Sequence, residues 1–194
     1  MHPIYHTDAI VLGSAERSEA DKVFLLFTRE QGVLRVRATG IRKLASKLRY
    51  SLQDYSVASL GLIRGRHSWR LGSAGAKPLF DPKNKLLMRA FQNTCRLLSR
   101  MVPREAEETI LFDDIANIYR VADTLELTPK TASDVALLAG VKILYTLGYI
   151  PHESIPEAFL ETPYKVLPLA EARAHRAELT GAIHAALESS HLIY

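Results

Sequence analysis

Cysteine is nearly absent: Cys95 is the single one among 194 residues. An intrachain disulfide framework is therefore excluded, and the chain suits a reducing compartment. No GxxxxGK[ST] or GxGxxG occurs, which removes the usual phosphate cradles of nucleotide enzymes. No HExxH and no CxxC occurs, so neither common zinc spacing is present and no metal or cofactor is expected. Long apolar runs are also missing. The longest stretch, Val135 to Ile150, contains Lys142 and two glycines and falls short of the ~20 residues that span a bilayer. The opening MHPIYHTDAIVLG lacks a basic region followed by a long apolar one, so a signal peptide is not expected. The expectation is a cytoplasmic protein with no membrane partner.

Acidic residues are missing from one place in particular. Arg35 to Gln53 reads RVRATGIRKLASKLRYSLQ, with six Lys/Arg and no Asp or Glu. Like charges at that density repel unless something negative lies against them. The net charge of +4 hides the same bias: residues 1 to 80 carry thirteen Lys/Arg against six Asp/Glu, and the remainder twelve against fifteen. A basic half joined to a mildly acidic one points to a polyanion on one surface only.

The first half reads as strands. Ala9 to Leu12 and Val23 to Phe27 are apolar and rich in β formers, and Gln31-Gly32 ends the second run. Val33 to Ala38 alternates apolar with basic, placing Arg35 and Arg37 on one wet face. Tyr55 to Ile63 and Ser68 to Leu71 supply two more strands around Arg64-Gly65-Arg66. Ala45 to Leu52 has room for about two helical turns. Five strands with a short helix after the third match an OB-fold barrel, which binds single strands across one face.

Gly72 to Pro82 reads as a linker. Beyond it the apolar period is helical, with stripes at Leu87, Ala90, Phe91, Thr94, Leu98 and Met101, then Leu111, Ile115, Ile118, Ala122 and Leu125. Asp81-Pro82 and Thr128-Pro129 look like caps with proline at the first helical position, and Thr131 to Asp134 like a capping box. The helix Ala132 to Leu147 is apolar nearly all round, and Gly148 ends it. A last helix is expected from Leu169 to His191. The fold class is thus α+β and multidomain: an OB-fold barrel over residues 1–77, then an all-α helical bundle domain over 78–194.

Catalytic chemistry is not apparent. The seven histidines are scattered, and His184 and His191 lie two turns apart rather than one. Glu105, Glu107 and Glu108 cluster where a helix begins, which the helix dipole explains. Cys95 lies on an apolar stripe and reads as a small buried thiol. The sequence therefore offers a binding surface instead of an active site. Its DNA-binding candidates are Arg35, Arg37, Arg42, Lys43, Lys47 and Arg49, joined by Arg64, Arg66 and Arg70 from the last hairpin. Each would meet phosphate, adding salt-sensitive affinity without sequence information. Tyr50, Tyr55, His67 and Trp69 are available for base stacking, about 1–3 kcal/mol per base. Tyr50 is the favoured stacker. For Trp69, stacking and core packing stay equally open, and Tyr55 leans to the core.

The ordered pieces Glu19-Ala20-Asp21-Lys22, Phe27-Thr28-Arg29-Glu30-Gln31-Gly32, Thr39-Gly40-Ile41-Arg42-Lys43, Ser46-Lys47-Leu48-Arg49 and Trp69-Arg70-Leu71 resemble the RecO family of bacterial recombination mediators. The resemblance is strongest over residues 8 to 71. Leu147-Gly148-Tyr149 and His191-Leu192 extend it into the helical half. It implies a protein that binds and anneals single- and double-stranded DNA, without catalysis, and assists recombinase loading in recombinational repair. It also implies single-strand-binding protein, through its acidic tail, and RecR as partners. Many members carry a four-cysteine zinc site after Leu-Gly-Tyr; here Pro151 to Pro168 holds no cysteine. Members often show an Arg-Phe-Glu-like stretch three turns earlier; here Leu138, Ala139 and Gly140 stand there. An acidic tail would have to meet Arg120 and Lys142 instead. Two other readings of the same residues are an RNA-binding OB module and a protein-interaction scaffold.

Overall fold

The computed structural model describes residues 3–44, 46, 48–66 and 68–190. Lys47, His67 and His191-Leu192 lie outside the described residues, as does the side chain of Arg49. The chain forms two compact units. One comprises the residues up to Pro78 together with Val102–Thr109, and the other Leu79–Met101 with the residues from Ile110 onward.

The first unit is a closed five-stranded barrel. Its strands are β1 (Ile4–Glu16), β2 (Lys22–Thr28), β3 (Gly32–Ala38), β4 (Val57–Arg64) and β5 (Trp69–Ala76), with the one-turn helix α1 (Leu48–Ser51) between β3 and β4. The order around the barrel is β1-β2-β3-β5-β4, and β1 closes onto β4. That is the OB-fold arrangement. All neighbours are antiparallel except β3 and β5, which run parallel through Val36↔Trp69 and Arg37↔Arg70. The interior is apolar: Val11, Phe24, Leu26, Leu34, Val36 and Leu62 are almost fully buried.

Three features depart from the sequence expectation. Strand β5 continues through Gly72 and Gly75 to Ala76, where a linker was expected. Its second half forms a ladder with β4, pairing Ser59↔Gly75 and Ala58↔Ala76. A Cβ at Gly72 would lie 3.2 Å from the Gly61 carbonyl, so small residues here serve close strand approach. The helix expected over Ala45–Leu52 is one turn. Tyr55 is half-buried in a left-handed turn, with φ of 65°, and not in the core.

The segment Val102–Thr109 belongs to the barrel unit. Strand β5 leaves the start of β3 unpaired, and this segment covers it. Val33 donates to the Pro103 carbonyl at 3.4 Å and Glu105 donates to the Val33 carbonyl at 3.3 Å. Thr109 donates its hydroxyl to the Arg29 carbonyl at 3.1 Å. Gly32 has φ of 62°, and a Cβ there would sit 1.9 Å from the Ala106 carbonyl oxygen. No side chain fits.

The second unit is helical: α2 (Lys85–Met101), α3 (Thr109–Ala122), α4 (Pro129–Thr146), α5 (Leu169–Ala174) and α6 (Arg176–Ser189). Helix α4 is buried along nearly its whole length, as its apolar pattern predicts. Thr128 caps it, accepting from the Thr131 N–H at 3.1 Å, and Gly148, at φ of 78°, follows its end. Asn84, not Asp81, caps α2, accepting from the Leu87 N–H at 3.1 Å. Asp81 forms a turn one step earlier, accepting from the Lys83 N–H. The last helix breaks at His175 into α5 and α6. Arg173 and Arg176 on either side both donate to Asp134, a fully buried carboxylate on α4. No helix among the described residues is long and apolar enough to cross a membrane.

Candidate nucleic-acid interface

On β3 the pleat turns Leu34, Val36 and Ala38 inward and Arg35 and Arg37 outward. The register sets Arg37 opposite Arg70 across the parallel pair, so Arg35, Arg37 and Arg70 share the outer face of the β3–β5 seam. Two cations at directly facing positions repel, and Asp21 offsets this. Its carboxylate accepts from Arg37 at 2.6 Å and from the Gly40 N–H at 2.9 Å, and only 6% of the residue is exposed. The Arg37 guanidinium, with the Gly40 bond, holds the Asp21 carboxyl below the usual carboxylate range.

The other cations divide by what already holds them. Arg42 pairs with Glu16 at 3.0 Å and donates to the Ser18 carbonyl at 3.0 Å, fastening the loop after β3 to the β1–β2 turn. Arg64 lies over the Trp69 ring, 5.4 Å from its centroid, and 3.8 Å from Glu105. Among the described residues, Arg35, Lys43, Arg66 and Arg70 have no carboxylate within ion-pair reach, and all four are exposed. They are among the barrel's available positive charges, as are the exposed Arg17 and Arg104. Tyr50 is 69% exposed on α1.

Trp69 is not available for stacking. It is 5% exposed, packs in the barrel core, and meets Tyr5 edge to face at 5.3 Å. The alternation that turns Arg70 outward necessarily turns Trp69 inward.

The expected tail-binding pair also separates. Arg120 is exposed at the end of α3. Lys142 is 5% exposed, 3.4 Å from Asp114 and donating to the Phe159 carbonyl at 3.2 Å, near the rings of Tyr145 and Tyr164. Burial pushes the Asp114 carboxyl up, and the Lys142 charge only partly offsets it. Lys142 therefore anchors the Pro151–Pro168 segment from within and cannot reach an acidic tail. Asn117 completes that anchor, clasping the backbone of Tyr164 at 3.1 and 2.6 Å. Sequence reading missed Asp21, Glu16 and Glu105 as organisers of the basic face. The one visible signal was that Asp21 immediately precedes a strand whose hairpin partner carries Arg37 next to its end.

Among the described residues no group of three His, Cys, Asp or Glu could hold a metal. Cys95 is fully buried, and burial raises its thiol pKa.

Residues 1–74 match the family described as recombination protein O, N-terminal. The chain belongs to the RecO family. The RecO match reaches the helical half as well. A protein of Heliobacterium modesticaldum is 39% identical over 154 residues, covering 78% of this chain and 54% of the relative. One from Pelotomaculum thermopropionicum is 26% identical over 150 residues, 76% of this chain and 57% of the relative. One from Desulfitobacterium hafniense is 38% identical over 63 residues, 32% and 23% of the two chains. Each of the three is named DNA repair protein RecO. The chain spans little more than half the length of curated relatives that it matches over 150 residues or more.

Proposed function

We propose that this chain is a non-catalytic DNA-binding protein of recombinational repair, located in the cytoplasm, whose barrel tracks a phosphate backbone. The supporting observation is the β3–β5 seam, where Arg35 and Arg70 face outward with no carboxylate among the described residues within ion-pair reach. Arg66 and Lys43 extend the surface, Arg37, Arg42 and Arg64 add partly neutralised charge, and Lys47 and Arg49 carry further charge in the same acid-free run. Tyr50 offers a ring for base stacking. Phosphate contacts of this kind give affinity without base readout. A basic face screens the repulsion between two backbones while leaving base edges free, which is the physical requirement for annealing complementary strands. Loading of a recombinase onto coated strands, and contacts with single-strand-binding protein and RecR, belong to the same reading. Arg120 is the cation of the expected tail-binding pair that remains exposed.

The test is binding of a labelled single-stranded oligonucleotide across a salt series. Arg35→Glu with Arg70→Glu should weaken binding at least tenfold and flatten the log–log salt slope by about 1.4, two contacts at ~0.7 each. Unchanged affinity and slope in a folded variant would refute the surface. Competition with a matched RNA strand separates DNA from RNA, because only RNA presents the 2′-hydroxyl.

A further inference from the structure

The acidic balance of the second half conceals a second basic element. From Pro82 to Arg104 the sequence has six Lys/Arg and no Asp or Glu, whereas residues 105–194 have six against fourteen. Helix α2 occupies most of that stretch. Its buried side carries Leu87, Phe91, Thr94 and Leu98. On the opposite side Lys85, Arg89, Arg96 and Arg100 are exposed, with Gln92 and Asn93 between them. At 3.6 residues per turn the four cations fall within roughly 60° of one another and extend over about 22 Å. Lys85, Arg89 and Arg96 have no carboxylate within ion-pair reach among the described residues. Arg96 donates to the Asn93 side-chain oxygen at 3.0 Å, which orients its guanidinium along the helix. A shallow groove runs here, and Pro82 and Met88 are its only apolar lining residues among Lys85, Arg89, Gln92, Asn93 and Arg96.

We propose that this face of α2 is a second nucleic-acid surface, binding a phosphate backbone independently of the barrel. It rests on the DNA-binding reading above and adds a second contact surface to it. Three considerations select the ligand. Unneutralised cations at near-regular intervals along a rod complement a regular polyanion, and B-DNA carries a charge every ~1.7 Å of its axis. Gln92 and Asn93 supply the uncharged hydrogen-bonding groups that commonly contact phosphate and sugar. An acidic peptide held by apolar anchors would need an apolar pocket, and this groove is lined mainly by polar and charged side chains. Two basic surfaces on one chain let it hold two strands at once, which turns a binder into an annealing protein.

The experiment uses the full chain carrying Lys85→Glu, Arg89→Glu and Arg96→Glu, alone and combined with Arg35→Glu and Arg70→Glu. A Lys85→Gln, Arg89→Gln, Arg96→Gln variant, with good helix formers at all three sites, guards against misfolding. Circular dichroism verifies the helix content of each. The readouts are single-strand affinity across a salt series and capture of a second labelled strand by protein bound to a bead-tethered one. The α2 variants should bind single strands at least threefold more weakly. Their salt slope should be flatter by about 2, three contacts at ~0.7 each, and second-strand capture should be lost. If the barrel variant binds normally while the α2 variants do not, the barrel reading falls and this one stands. Unchanged slope and capture in folded α2 variants would overturn it. So would normal oligonucleotide binding with lost binding of a polyglutamate peptide, which would assign the face to a protein partner.

Discussion

The two units treat charge in opposite ways. Among the described residues of the barrel unit, Asp21 is the one charged side chain that is buried; its arginines stand on the outside. The helical unit buries Asp114, Asp134 and Lys142 and uses them as internal fasteners. A barrel closed by backbone ladders has its strands fixed by hydrogen bonds, so its outer charges need not hold the fold together. Helices hydrogen-bond only within themselves, and an irregular segment such as Pro151–Pro168 needs side chains to hold it. Lys142 and Asn117 do this by binding the Phe159 carbonyl and the Tyr164 backbone. A basic residue in the sequence is therefore available to a partner only where it is not already committed to the fold.

The sharpest way to break that contrast is to remove one half of a buried pair. Lys142→Ala leaves Asp114 buried and uncompensated, and should cost about 3–5 kcal/mol in denaturant unfolding. Lys142→Met with Asp114→Leu should recover most of that, because an apolar pair of similar volume removes the desolvation cost. Oligonucleotide affinity of the barrel face should be unchanged in the double variant.

Next in size is Gly32→Ala. The left-handed backbone costs about 1–2 kcal/mol, and displacement of the Val102–Thr109 segment adds to it. Urea unfolding followed by the Trp69 signal should show the loss in the barrel.

The pH dependence of Asp21 gives a finer test. Its folded-state pKa is lowered, so its contribution is fully present above the ordinary carboxylate value and is lost as pH falls through the depressed one. Asp21→Asn should be less stable near neutrality and show a flatter decline as pH falls below the ordinary carboxylate value of about 3.9. It should also release Arg37 to solution, steepening the salt dependence of binding.

The smallest expected effect is on tryptophan emission. With Trp69 enclosed by the barrel, saturating oligonucleotide should leave its spectrum in place. Strong quenching would mean that the ring reaches the strand.

What the sequence made legible follows the range of the interactions. Period-2 alternation is local, so the first three strands and the outward facing of Arg35 and Arg37 could be read directly. The second half of β5 could not, because glycine and alanine signal a linker until a neighbouring strand pairs with them. The break at His175 was hidden because the residues on both sides are good helix formers, and the turn forms where two arginines reach one buried carboxylate. The same limit applied to the candidate site. Trp69 and Lys142 have partners 64 and 28 positions earlier in the chain, Tyr5 and Asp114, and pairing at that separation leaves no periodic trace. The α2 stripe was legible, but its 23-residue acid-free run was masked by averaging charge over a whole half.

The insertion of α2 between the two parts of the barrel unit has a consequence for synthesis. Val33 and Gly32 acquire their covering segment only when residues 102–109 have left the ribosome. At roughly 5–20 residues per second, the interval after Pro78 lasts on the order of seconds. Through it the start of β3 is an uncovered strand edge, a site of mispairing in a nascent chain. The first helix of the second unit must be made before the first unit can be finished, so the barrel completes its fold only after α2 exists.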